Sequence, residues 1–112
     1  MEVVVHPAHG EVWLVTLDPA LGSEIRKTRP CVAISPDEMN RHLRTVIVAP
    51  MTTVVRSYPL RVTVRFGGKQ GQAALHQIRA IDGDGLVKKL GTLPSTALDR
   101  ISSVLAEMFA RT

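Results

Sequence analysis

Up to about position 90 the apolar residues of this 112-residue chain come in short runs, each stopped by a proline or glycine, and the repeat changes to that of a helix only after Pro94. Glu11–Leu17 is β-branched and apolar and halts at Asp18-Pro19; Pro30–Ser35 and Thr45–Ala49 are halted by Pro36 and Pro50. Those lengths and stops predict strands, because proline removes a ladder donor. Leu60–Phe66 alternates, with Leu60, Val62, Val64 and Phe66 on one face and Arg61, Thr63 and Arg65 on the other, a strand with one wet, basic side. Gly67-Gly68 predicts a hairpin, Gln72–Ile81 a returning and broken strand, and Leu86–Leu90 a last one after the Asp82-Gly83-Asp84-Gly85 turn. Asp37 to His42 fits a short helical turn capped by Ser35 or Asp37.

From Pro94 on, Leu98, Ile101, Leu105, Met108 and Phe109 recur at steps of three and four, an amphipathic helix that packs on the sheet or on a partner. Many short strands followed by one helix predict a mainly β protein with α, a small antiparallel barrel with helical decoration. The length suits a single domain over 1–112, with 1–9 a flexible lead-in. No apolar run approaches the roughly 18 residues that span a bilayer, and Met1 to Val5 do not make a secretory signal, so a cytoplasmic, non-membrane protein is expected. Cys31, the single cysteine, lies in the apolar run Cys31-Val32-Ala33-Ile34 and reads as core.

Charge is segregated along the chain. Residues 26–89 hold twelve Lys or Arg against four acidic residues, a local +8, whereas the flanks hold two against six. A basic middle fits either a polyanionic partner or a solvated surface. His6, His9, His42 and His76 show no paired ligand spacing, so no metal or other cofactor is expected. The segment Gly67 to Gly71 lacks the spacing of a phosphate loop and reads as a turn. Two segments are rich in hydrogen-bond donors: Gly22 to Pro30, with Arg26, Lys27 and Arg29, and Pro50-Met51-Thr52-Thr53 where a buried strand ends. Each alone reads as a solvated loop or a turn cap; together a guanidinium and hydroxyls are able to converge on one phosphate.

Gly10-Glu11-Val12-Trp13, Asp18-Pro19, Gly22-Ser23-Glu24, Arg29-Pro30, Ser35-Pro36, Pro50-Met51-Thr52-Thr53, Tyr58-Pro59, Gln77 and the final helix, in that order and over almost the whole chain, resemble the MazF/PemK family of toxin endoribonucleases. The resemblance implies an SH3-like barrel of the MazF/Kid/CcdB toxin type and a homodimer. It implies metal-independent cleavage of single-stranded RNA, to a 2′,3′-cyclic phosphate and a 5′-hydroxyl. It also implies a small antitoxin partner with an acidic tail. The family's catalytic arginine and threonine fall on Arg29 and Thr52. Since arginine is a poor base, Glu24 and His76 are the candidates for the proton. Where many relatives carry an aspartate before the glutamine, this chain has His76; the PemK-branch set of aspartate, arginine and histidine falls on His76, Ala74 and Ser23 and is not retained.

RNA-binding candidates are Ser23, Lys27, Thr53, Tyr58, Arg61, Arg65 and Gln77, with Lys88 and Lys89 further along the basic track. Phe66 and Phe109 read as core, leaving Trp13 and Tyr58 as platforms for base stacking. The alternative class is a non-catalytic toxin or binding module of the same fold, resembling a gyrase poison or an adaptor.

Overall fold

The computed structural model describes residues 6–17 and 28–111. Ser23, Glu24 and Lys27 therefore lie outside the described residues, as do positions 1–5. Strands β1 (Glu11–Thr16), β2 (Thr28–Ala33), β3 (Thr45–Thr52), β4 (Arg61–Phe66), β5 (Lys69–Ala74), β6 (Arg79–Asp82) and β7 (Leu86–Thr92) are joined by helix α1 (Asp37–His42) and followed by α2 (Ser95–Met108). They form one curled antiparallel sheet in the order β4-β5-β3-β2-β1-β7, with β6 also pairing β3. The expected break in the strand after Gln72 is a 3₁₀ turn, Leu75–Gln77, between β5 and β6.

Two prolines expected at strand boundaries, Pro30 at the start of one and Pro50 at the stop of another, sit inside them. β3 pairs with β6 through Val48 and with β5 from Met51. Pro50 falls in the gap between those ladders, so on that side its missing N–H interrupts neither. Pro30 pairs with Leu14 on β1, while the ladder to β3 starts only at Cys31. β2 therefore begins before Pro30, with Thr28-Arg29, and β3 runs past Pro50 to Met51-Thr52.

Alternation divides the sheet into two faces. One packs Val12, Val32, Ala49, Met51, Val62, Val64 and Ala73 against Ala97 and Ile101 of α2. The helix can close on the sheet because Gly10 has φ +88°, and a Cβ there would lie 2.6 Å from Leu98. The opposite face buries a smaller cluster, Val15, Cys31, Ala33, Val46, Val48 and Ile81. A fully buried valine contributes roughly 1.5–3 kcal/mol. The Gly67-Gly68 hairpin is as expected: φ +59° and +76° are the left-handed values of a type I′ turn.

Four expectations change. Residues 6–9 are no loose lead-in: Pro7 is buried, Asn40 Nδ2 donates to its carbonyl at 3.0 Å, and His9 N donates to Asp37. The α1 cap position is Pro36, with no side-chain cap bond, because the Ser35 hydroxyl instead donates to Asn40 and accepts from Ile47 N. Phe109 is 69% exposed, since α2 ends at Met108 and the helical stripe no longer governs the next residue. Trp13 packs against the smaller cluster with its indole N–H on Glu11, which removes it as an open platform.

Candidate nucleic-acid interface at the open end of the sheet

The ladder of β2 on β3 ends with Cys31 opposite Pro50; Arg29 and Thr52 lie just past that end, one on each strand, and line one groove. Both belong to the face whose other end is the smaller buried cluster. Thr52 pairs in turn with Gln72 of β5, and Gln72 with Thr63 of β4. A row Thr52, Gln72, Thr63 thus crosses three strands, flanked by Arg61 and Arg65, with Arg29 beside Thr52 in the same groove. The basic side of the alternating strand and the Thr-Thr step after β3 are therefore parts of one surface.

Gly71 makes this approach possible. A Cβ there would lie 2.6 Å from the Thr52 carbonyl oxygen, so any side chain would push β5 off the end of β3. A groove of about 420 Å³ wraps this end of the sheet, taking Thr28, Arg29 and Pro30 from β2, Met51, Thr52 and Thr53 from β3 and its exit, and Phe66, Lys69, Gln70 and Gly71 from the β4–β5 hairpin. Lys69, Gly71 and Gln72 were not among the residues singled out from the sequence. The hairpin reading of Gly67 to Gly71 was correct but said nothing of which strand end the hairpin touches.

The Thr52 hydroxyl accepts from Val54 N at 3.1 Å, which leaves its own proton to donate outward. Arg29 is exposed, and among the described residues no carboxylate pairs with it. Arg79 of β6 shares this face, as its alternation with Ile81 requires. The Cys31 thiol lies between these guanidinium groups, yet burial pushes it up to about 12 against the opposing pull of Arg29 and Arg79. It is a core residue and not a nucleophile.

His76 and Gln77 are exposed on the 3₁₀ turn, and His76 Nε2 faces Gln77 Nε2 at 3.2 Å. Nitrogen to nitrogen is a hydrogen bond here only when the imidazole nitrogen is unprotonated and the amide donates. Tyr58, 53% exposed, meets the His76 ring edge-on at 6.1 Å between centroids and carries the Arg61 guanidinium 5.5 Å over its own. Arg61 is partly buried, with Nη1 donating to Val54 O and Gln72 Oε1, so that nitrogen is committed within the protein. Arg65 and Thr53 are exposed, and Arg65 pairs with Gln70. Lys89 lies on the opposite edge strand, bound to Glu11 at 2.8 Å.

A second groove, of about 430 Å³, runs between α1, β6 and β7 past Trp13, Arg44, Asp82 and Asp84, and contains neither Arg29 nor Thr52. Among the described residues no group of three or more His, Cys, Asp or Glu is placed to hold a metal ion, and no helix is long and apolar enough to cross a membrane.

The chain is similar to the endoribonuclease MazF9 of Mycobacterium tuberculosis, at 36% identity over 86% of this chain and 90% of that protein. It is also similar to the endoribonuclease PemK of Escherichia coli, at 33% over 86% and 80%. Its fold superposes on the MazF of a MazE–MazF crystal structure from Deinococcus radiodurans with a TM-score of 0.83 at 22% identity, covering 97% and 100% of the two chains. The family described as PemK-like, MazF-like toxin of type II toxin–antitoxin systems matches residues 8–109, and this chain belongs to it.

Proposed function

We propose that this protein is the toxin of a type II toxin–antitoxin pair, a sequence-specific endoribonuclease that cuts single-stranded RNA through Arg29 and Thr52 without a metal ion. Family membership supports the class. The observation that carries the site is the meeting, at the lip of one groove, of a guanidinium and a hydroxyl whose proton is free. Attack of a ribose 2′-hydroxyl on the adjacent phosphate builds negative charge on the phosphoryl oxygens. The Arg29 fork and the Thr52 O–H donate to those oxygens as the charge grows, which lowers the barrier more than it tightens ground-state binding. The products are a 2′,3′-cyclic phosphate and a 5′-hydroxyl, and DNA, lacking the nucleophile, is spared.

Glu24 and His76 are the groups proposed to carry the proton. Ser23, Lys27, Thr53, Tyr58, Arg65 and Gln77 are the proposed RNA contacts around the row. The protein acts as one domain, in the cytoplasm, as a homodimer whose basic groove an antitoxin with an acidic tail blocks by charge complementarity.

The test is a long single-stranded RNA incubated with the protein in excess EDTA. Discrete cuts ending in cyclic phosphate are expected, reduced roughly 10²–10³-fold by Arg29→Ala and by Thr52→Ala. Binding without cutting by the wild type would return the chain to the non-catalytic class.

A further inference from the structure

Segment 53–60, which leaves β3 directly after Thr52, has no secondary structure beyond bends and a turn and exposes Val54, Val55 and Tyr58, each about half accessible. Such a stretch would ordinarily be loose. Here its backbone is tied at every second residue. Val54 donates its N–H to Thr52 Oγ1 and accepts at its carbonyl from Arg61 Nη1 at 3.0 Å. Arg56 donates to Gln72 Oε1 at 2.9 Å and accepts from Gln72 Nε2 at 3.1 Å. Tyr58 O accepts from Arg61 N at 3.1 Å, closing the turn into β4.

The Gln72 amide therefore bonds Arg56 as a neighbouring strand would, through both backbone groups. It is only 5% exposed, in the row beside Thr52, and its Oε1 also accepts from Arg61 at 3.3 Å. Arg61 completes the arrangement with its guanidinium over the Tyr58 ring, while its Nε is buried without a hydrogen-bond partner. A cation used only for solvation or for loose phosphate contact would not leave a donor in that state.

We propose that Gln72 and Arg61 are positioning residues: they hold segment 53–60 as a preformed shelf on which Val54, Val55 and Tyr58 receive the bases flanking the cleaved phosphate, and so set substrate affinity and sequence preference. The inference rests on the ribonuclease reading for its ligand and on the hydrogen bonds alone for the shelf. A preformed shelf costs no ordering entropy when RNA binds, so loss of the clamp falls on KM and selectivity. Arg61 then acts from beneath the shelf and not as part of the phosphate track.

Two assays separate the parts. In the first, full-length protein is digested with trypsin and the nick after Arg56 is followed by mass spectrometry. Gln72→Leu, which removes every bond of the amide, should be nicked roughly tenfold faster than the wild type. Gln72→Glu keeps acceptors for Arg56 N and Arg61 but sets a carboxylate oxygen against the Arg56 carbonyl in place of the donating amide, and should be nicked at a rate between the two. Arg61→Met, which keeps the apolar stem, should move in the same direction by less and serves if Gln72→Leu does not fold.

In the second, an oligonucleotide spanning one mapped cut is used for steady-state kinetics. Gln72→Leu should raise KM roughly tenfold with kcat within about twofold and broaden the set of cut sequences. Equal trypsin rates for wild type and Gln72→Leu would overturn the clamp. Faster nicking with unchanged KM and cut pattern, or a fall in kcat alone, would overturn its link to recognition. A wild type that cuts no RNA overturns the functional reading instead, and is scored on the second assay only.

Discussion

The two ends of one sheet face have opposite fates. At the end near α1, Val46, Val48, Ala33 and Ile81 are buried together, and the Glu11 carboxylate is fully engaged by Lys89, Ala8 N–H and the Trp13 indole. At the far end the same strands present Arg29, Thr52 and Thr53 to solvent, with no carboxylate among the described residues to neutralise Arg29. Nothing in the backbone distinguishes the two halves, because the same β2 and β3 run through both. The difference lies in what the alternating positions carry and in where neighbouring strands stop. The sealed half makes those strands rigid, and the open half uses that rigidity to hold a guanidinium and a hydroxyl at a fixed cross-strand separation.

The comparison breaks most sharply at Gly71. Gly71→Ala places a methyl 2.6 Å from the Thr52 carbonyl, which backbone cannot yield cheaply, so β5 must move off β3. Displacement of Thr52 by even about 1 Å is expected to cost roughly 10²-fold in RNA cleavage, with about 1–3 kcal/mol of stability. Cleavage rate and thermal unfolding measured on one preparation check this; an active, equally stable variant would mean that β5 does not fix Thr52. Val46→Ala acts on the sealed half in the opposite sense. It should lose about 2 kcal/mol of stability through lost burial and a cavity, while cleavage per folded molecule stays within about twofold. A large fall in activity there would show that the halves are coupled beyond stability.

Much of this was legible in the sequence. The alternation from Leu60 to Phe66 gave the basic face, the double glycine gave the hairpin, and the period after Pro94 gave α2. The resemblance placed Arg29 and Thr52, and the fold brings both to one groove. What was missed depended on non-local pairing. Pro50 reads as a stop and Pro30 as a strand's first residue because a proline forbids a ladder bond, yet each sits inside a strand where a ladder is absent on one side, and that depends on where the neighbouring strands begin and end. Gln72 read as one more strand residue; its meaning comes from Arg56, sixteen positions away, and no periodicity encodes a side-chain amide bonding to a loop backbone. The signal for it is a glutamine at the head of an Ala-Ala-Leu run, a polar group in a buried strand that must find partners.

The smallest expected effect concerns Glu11, and it sharpens the comparison by asking whether the sealed half tolerates charge only when paired. Burial raises the Glu11 carboxyl, but hydrogen bonds from Lys89, Ala8 N–H and the Trp13 indole, with the Lys89 charge, outweigh it and hold the group below its ordinary 4.5. A carboxyl with a depressed folded value stabilises the fold fully above about 4.5, and that stabilisation is lost as pH falls through the lower folded value. Glu11→Gln keeps the acceptor for Ala8 and Trp13 but removes the charge and the oxygen that accepts from Lys89. Because Lys89 is about half exposed, at 49%, the cost at neutral pH should be modest, about 1 kcal/mol, or a Tm lower by about 4 °C. The two unfolding curves should converge as the wild-type carboxyl protonates, and high salt should shrink the gap at neutral pH. A gap independent of pH would instead assign the loss to packing around Trp13. RNA cleavage should not change in either case, since Glu11 belongs to the half of the face that holds the strands and not to the half that holds the phosphate.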